Sequence, residues 1–143
     1  MDALNLHSER ELTKRLEFYD IKPTPQRVKI LRLLYMQSRH VSAEEVFAGV
    51  NEDVEQGRRQ ASKATVYNTL GLFARQGLVK EVIADPARVF YDPNTTPHHH
   101  FYNTSTGELS DISAESVAVS GLPPLPPDTE LEGIDVVVRL RGR

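Results

Sequence analysis

The sequence predicts an α+β protein in two parts. Helical patterns fill its first half, a pair of β-rich runs joined by a short turn follows them, and the chain beyond Pro97 is β-rich and broken by prolines. Residues 9–19 place Leu12, Leu16 and Tyr19 at steps of four and three behind Ser8, a ready N-cap, so one amphipathic helix is expected to end before Lys22-Pro23. Thr24-Pro25 then supplies a cap and a first-turn proline, and Val28, Leu31, Leu34 and Tyr35 keep helical spacing to about Gln37. Ser42 and Glu45 form a capping box ahead of Val46, Phe47 and Val50, which starts a short third helix. Residues 51–60 are polar and read as a loop. Ser62 caps a fourth helix over 63–76, with Val66, Leu70 and Phe73 as its apolar set and Gly77 as its stop. Runs 78–84 and 88–91 are strands about the turn Asp85-Pro86-Ala87.

Helices followed by a β-hairpin spell a winged helix over residues 1–92, although a generic small α+β domain would share those elements. Residues 93–97, Pro-Asn-Thr-Thr-Pro, form a breaker cluster that suits a hinge. The rest, 98–143, is a smaller second domain. In it, 98–103 and 108–112 flank a four-residue hairpin loop, and 121–127 holds four prolines and cannot be helix or central strand. The valine run in 134–140 predicts a buried final strand set against a second copy of itself. A region of about 50 residues with so little core calls for stabilisation by dimerisation.

Composition narrows the function classes. With 143 residues, 39% hydrophobic and 26% charged, this is an ordinary globular chain, too short for a large catalytic barrel. It has no apolar run of membrane-spanning length, and its start lacks the basic-then-apolar order of a secretory signal, so a cytoplasmic protein with no membrane partner is expected. With no cysteine, disulfides, thiolate zinc sites, iron–sulfur clusters and cysteine nucleophiles are excluded. The net charge of −3 conceals an asymmetry: residues 1–85 carry 13 Lys+Arg against 12 Asp+Glu, and residues 86–143 carry 4 against 8. The first part suits a phosphate-bearing partner and the second a cation.

His98, His99 and His100 stand together in the predicted hairpin. On a strand, His98 and His100 share one face and His99 takes the other. Across a loop of 104–107, residues whose numbers sum to 211 face each other, which sets Asp111 opposite His100 with Cβ atoms ~5 Å apart. Two imidazoles and a carboxylate suit Fe²⁺, Mn²⁺ or Zn²⁺; a solvated polar strand is the plainer alternative. The same donors serve non-haem iron oxygenases, but no general base, phosphate loop or enclosing fold flanks them, so an enzyme is not expected.

The run His40-Val41-Ser42-Ala43-Glu44-Glu45-Val46, with Ala64-Thr65-Val66-Tyr67 and Leu78-Val79, resembles the DNA-binding domain of the ferric uptake regulator family of metal-responsive repressors, and the resemblance extends over nearly the whole chain. It implies a regulatory cation between an N-terminal winged-helix DNA-binding domain and a small α/β dimerisation domain, held by His40, Asp92, His98, His100 and Asp111. The oxygen-rich set suits Fe²⁺ or Mn²⁺ over Zn²⁺, although affinity ranking alone favours zinc. Aspartates at 92 and 111 are most similar to the peroxide-sensing branch. The family's structural zinc is held by paired cysteines, the first of which would fall at Asn103 and Thr106, so that zinc has no ligands here. Its second, exposed site also looks broken, with Pro97 and His99 in its positions. The triple histidine, the run 65–70, Gly121-Leu122-Pro123 and the run 136–141 resemble the iron response regulator branch of alphaproteobacteria. That implies regulation through haem, with His98, His99 and His100 as haem candidates and DNA binding when iron is scarce.

A winged-helix homodimer, or a higher oligomer built from it, would place one recognition helix of each subunit in successive major grooves, so a palindromic double-stranded operator is expected. Ser62, Lys63, Thr65, Tyr67 and Asn68 lie at or near the start of the fourth helix. Tyr67 against thymine methyls and Asn68 paired with adenine favour AT-rich sites. Arg58, Arg59 and Lys63 form a basic entry to that helix, and Lys14, Arg15 and Lys22 are placed for backbone or minor groove. A peroxide- or manganese-responsive repressor, a non-haem metalloenzyme and a metal buffer remain the alternatives.

Overall fold

The computed structural model describes residues 8–37, 40–52 and 61–143, which fall into two compact units, Met1–Thr95 and Thr96–Arg143. The first unit runs α1 (Glu9–Phe18), α2 (Pro25–Met36), β1 (Val41–Ser42), α3 (Ala43–Val50), α4 (Lys63–Arg75), β2 (Lys80–Asp85) and β3 (Arg88–Asp92). Each helix begins where the sequence supplies an oxygen for its free backbone N–H groups. Ser8 accepts from the Glu11 N–H, Thr24 from Arg27, and Ser62 from Thr65. Ser42 and Glu45 form the full capping box of α3. Helix α4 stops where Gly77 takes φ +83°, a left-handed turn open to glycine. Leu12, Leu16, Ile30, Leu31, Val46, Val66, Leu70 and Phe73 are all fully buried in one core, so the apolar periodicities converge on a common interior.

One element escaped the sequence. The dipeptide Val41–Ser42 pairs antiparallel with β3, making a three-stranded sheet ordered β1-β3-β2. It is too short to show a period, and its partner lies about 50 residues away. The β2–β3 hairpin closes with the Ala87 N–H donating to Asp85 Oδ1 and carries a register irregularity between Ile83 and Asp85.

The second unit is a three-stranded sheet ordered β5-β4-β6, from β4 (His98–Asn103), β5 (Leu109–Ser113) and β6 (Val137–Leu140). Its described helical content is one 3-10 turn, Ala114–Ser116. The hairpin register is the expected one, His100 facing Asp111. The last strand pairs parallel with β4 of its own chain, and in the single chain Val136, Val137 and Val138 are half-buried rather than buried. The physical reason is the long connection: residues 114–136 give the reach that a parallel return requires, and the prolines keep that stretch extended.

Candidate metal centre and recognition helix

In the first unit the sheet brings together two residues far apart in sequence. Val41 faces Tyr91 in the β1–β3 ladder, so His40, one step before β1, comes opposite Asp92 at the end of β3. The His40 Nε2–H donates to Asp92 Oδ2 at 2.9 Å. Both side chains are nearly enclosed, and the Asn94 N–H holds the other Asp92 oxygen at 2.9 Å. A divalent cation held by His40 and Asp92 would take the place of the shared proton.

In the second unit His98 and His100 lie side by side on one face of β4, ring centroids 4.6 Å apart. Nε2 of each is 3.4 Å from the same oxygen, Oδ1 of Asp111. His98 Nδ1 is 2.6 Å from the Thr96 carbonyl, which can only accept, so Nδ1 carries a proton and Nε2 is the ring nitrogen turned towards Asp111. The donors fit a divalent ion: two imidazole nitrogens, one oriented by a backbone carbonyl, and a carboxylate. His99 is on the opposite face, where its Nδ1 accepts the Val136 N–H at 3.1 Å and ties β4 to the start of β6.

On α4, Ser62, Lys63 and Asn68 are exposed and Thr65 and Tyr67 half-buried. Two of the predicted contact residues serve the helix itself, since the Ser62 hydroxyl accepts the Thr65 N–H and donates to Thr65 Oγ1. Lys63 Nζ stands 5.6 Å from the centre of the Tyr67 ring, and the Tyr67 hydroxyl donates to Glu44 Oε1 at 3.0 Å. Lys22 is exposed, and its carbonyl accepts from Arg27 Nη1. Arg58 and Arg59 lie outside the described residues. Sequence reasoning passed over Gln26, Arg27 and Arg75, which line one groove with Thr65 and Asn68. Helical spacing assigned them to α2 and α4 separately and gave no sign that the two helices meet there.

The sequence model of the ferric uptake regulator family matches residues 19–121. The chain belongs to the ferric uptake regulator family. It is therefore a metal-responsive transcription regulator. Among curated relatives, the peroxide-responsive repressor of Staphylococcus aureus (strain Mu50) is 32% identical over 106 residues, 74% of this chain and 69% of that protein. Among solved structures, the manganese-containing ferric uptake regulator of Pseudomonas aeruginosa is 26% identical with a TM-score of 0.66, covering 92% of this chain and 97% of its own. The Vibrio cholerae ferric uptake regulator, at 21% identity and TM-score 0.68 over 91% and 98% of the two chains, shares the fold.

Within the ferric uptake regulator family this chain secures its C-terminal hairpin without sulfur. Asn103 Oδ1 accepts the N–H groups of Ser105 and Thr106, Thr106 Oγ1 accepts that of Glu108, and Gly107 turns with φ +76°. Asn103 and Thr106, the positions where the family resemblance implied cysteines, hold the loop by hydrogen bonds. No helix among the described residues is long and apolar enough to cross a membrane.

Proposed function

We propose that the protein is a cytoplasmic, homodimeric regulator of the iron response branch, reading an AT-rich palindromic operator in double-stranded DNA under the control of iron. One Fe²⁺ or Mn²⁺, replaceable by Zn²⁺ in vitro, is shared by His40 and Asp92 of the first domain and His98, His100 and Asp111 of the second. Residues 1–92 bind DNA, 93–97 act as the hinge, and 98–143 dimerise and sense. What supports this reading is that each unit builds its own histidine–carboxylate set, His40 with Asp92 in the first and His98 and His100 with Asp111 in the second. Bound there, the ion supplies a positive charge that ties the carboxylates to the imidazoles. The chain's own residues do the rest: β1 and β3 aim His40 and Asp92, β4 and β5 aim His98, His100 and Asp111, and occupancy fixes the spacing of the recognition helices.

Haem would be the second ligand of this reading, with His98, His99 and His100 as its candidate donors. His99 would keep its Nδ1 bond to the Val136 N–H if it bound iron through Nε2 and would lose that bond if it bound through Nδ1. A second reading, a peroxide- or manganese-responsive repressor, is favoured by aspartate at both 92 and 111 and by 32% identity to a peroxide-responsive repressor. Lys22, Arg58, Arg59, Ser62, Lys63, Thr65, Tyr67 and Asn68 form the DNA contact set. Mobility shifts with metal-free, Mn²⁺-, Fe²⁺- and haem-loaded protein test the whole. A palindrome selected from random DNA should bind at least ~1000-fold more tightly than bulk DNA, with an affinity that changes with iron or haem. A response to peroxide in the Fe²⁺ form, with none to haem, would replace the first reading by the second.

A further inference from the structure

We propose that Glu44 sets DNA specificity as a positioning residue acting through Tyr67, an inference that rests on the DNA-binding reading above. Tyr67 leaves α4 with its ring beside Lys63, one turn earlier, and its hydroxyl bonded to Glu44 in the first turn of α3. The ring of the residue best suited to meet thymine methyls is thus held at its far end by a neighbouring helix. Glu44 is itself held: its own backbone N–H, then the Tyr67 and Ser42 hydroxyls and the positive field of Arg88 keep its carboxyl below the usual glutamate range, so it is charged at neutral pH.

A fixed carboxylate beside a recognition helix repels phosphate. That repulsion is the same for every DNA sequence and lowers affinity for all of them. Orientation of the Tyr67 ring counts only where a thymine methyl stands opposite. Glu44 therefore gives up general affinity and gains discrimination, a device of the kind by which a repulsive group sharpens partner choice.

The test uses the Mn²⁺-loaded full-length protein, the duplex it enriches from a random-sequence library, and a scrambled duplex of equal length, with affinities measured by fluorescence anisotropy at fixed salt. Tyr67→Phe, which keeps the ring and the Glu44 charge, should lower the selected-to-scrambled ratio by about tenfold without tightening the scrambled complex. Glu44→Ala should lower the ratio about as much while binding scrambled DNA several-fold more tightly. Glu44→Gln, which keeps an acceptor for the hydroxyl, should hold the ratio within about twofold of wild type yet also tighten scrambled binding. The positioning role is overturned if Tyr67→Phe leaves the ratio unchanged, or if Glu44→Ala raises both affinities equally. Enrichment of no sequence by the wild-type protein would overturn this inference and the DNA-binding reading together.

Discussion

The two histidine–carboxylate clusters are built in opposite ways. His98, His100 and Asp111 come from adjacent strands of one hairpin, and Asp111 stays half open to solvent with 55% of its side chain exposed. His40 and Asp92 stand 52 residues apart, meet only because β1 pairs with β3, and keep Asp92 6% exposed. The first cluster gathers its nitrogens around a solvent-facing carboxylate; the second is closed by a hydrogen bond within its unit. Local chain geometry places the one, and the whole tertiary fold of the first unit places the other.

That contrast predicts unequal costs in the metal-free protein. In EDTA, Asp92→Ala should destabilise by about 1–3 kcal/mol in urea unfolding, because the nearly enclosed His40 ring and the Asn94 N–H lose their acceptor. Asp111→Ala should stay within about 0.5 kcal/mol of wild type under the same conditions. Equal losses would erase the distinction. Ser42→Ala probes the support of the closed cluster: it removes the hydroxyl that accepts the Glu45 N–H in the α3 cap, at the residue that also forms β1, and should cost about 1 kcal/mol. Losing His99 should be milder and local. His99→Ala should speed hydrogen exchange at the Val136 amide by roughly tenfold, the equivalent of one modest hydrogen bond, and leave Mn²⁺ affinity alone. The smallest effect is electrostatic. The carboxyl of Glu44 is held low in the folded protein, so its contribution is present above the unfolded glutamate range and lost as pH falls through the folded value. Exposure limits it to a few tenths of a kcal/mol, read as the difference between wild type and Glu44→Gln in urea unfolding at pH 6 and pH 3.

What the sequence disclosed follows the same divide. Ser8, Thr24, Ser42 and Ser62 announced the helix starts because a cap is a contact three residues long. The pairing of His100 with Asp111 could be read because a short hairpin loop fixes register arithmetic. By contrast, His40 and Asp92 were joined only through family resemblance, since a two-residue strand has no period and its partner is distant. The parallel seat of β6 was hidden for a like reason: a valine run marks a strand but not its neighbour. Tyr67 was visible as a recognition-helix residue, whereas its bond to Glu44 depends on how α3 meets α4, which amphipathic spacing does not specify.

The central claim is that one divalent cation is shared by both clusters. Calorimetric titration of Mn²⁺ into wild type, His40→Ala, His100→Ala and His99→Ala at pH 7.5, above the range where imidazoles protonate, tests it most directly. The account predicts one tight ion per chain, lost by more than about 100-fold in both His40→Ala and His100→Ala and kept in His99→Ala. Wild-type affinity in His40→Ala, or a loss in His99→Ala as severe as in His100→Ala, would contradict it.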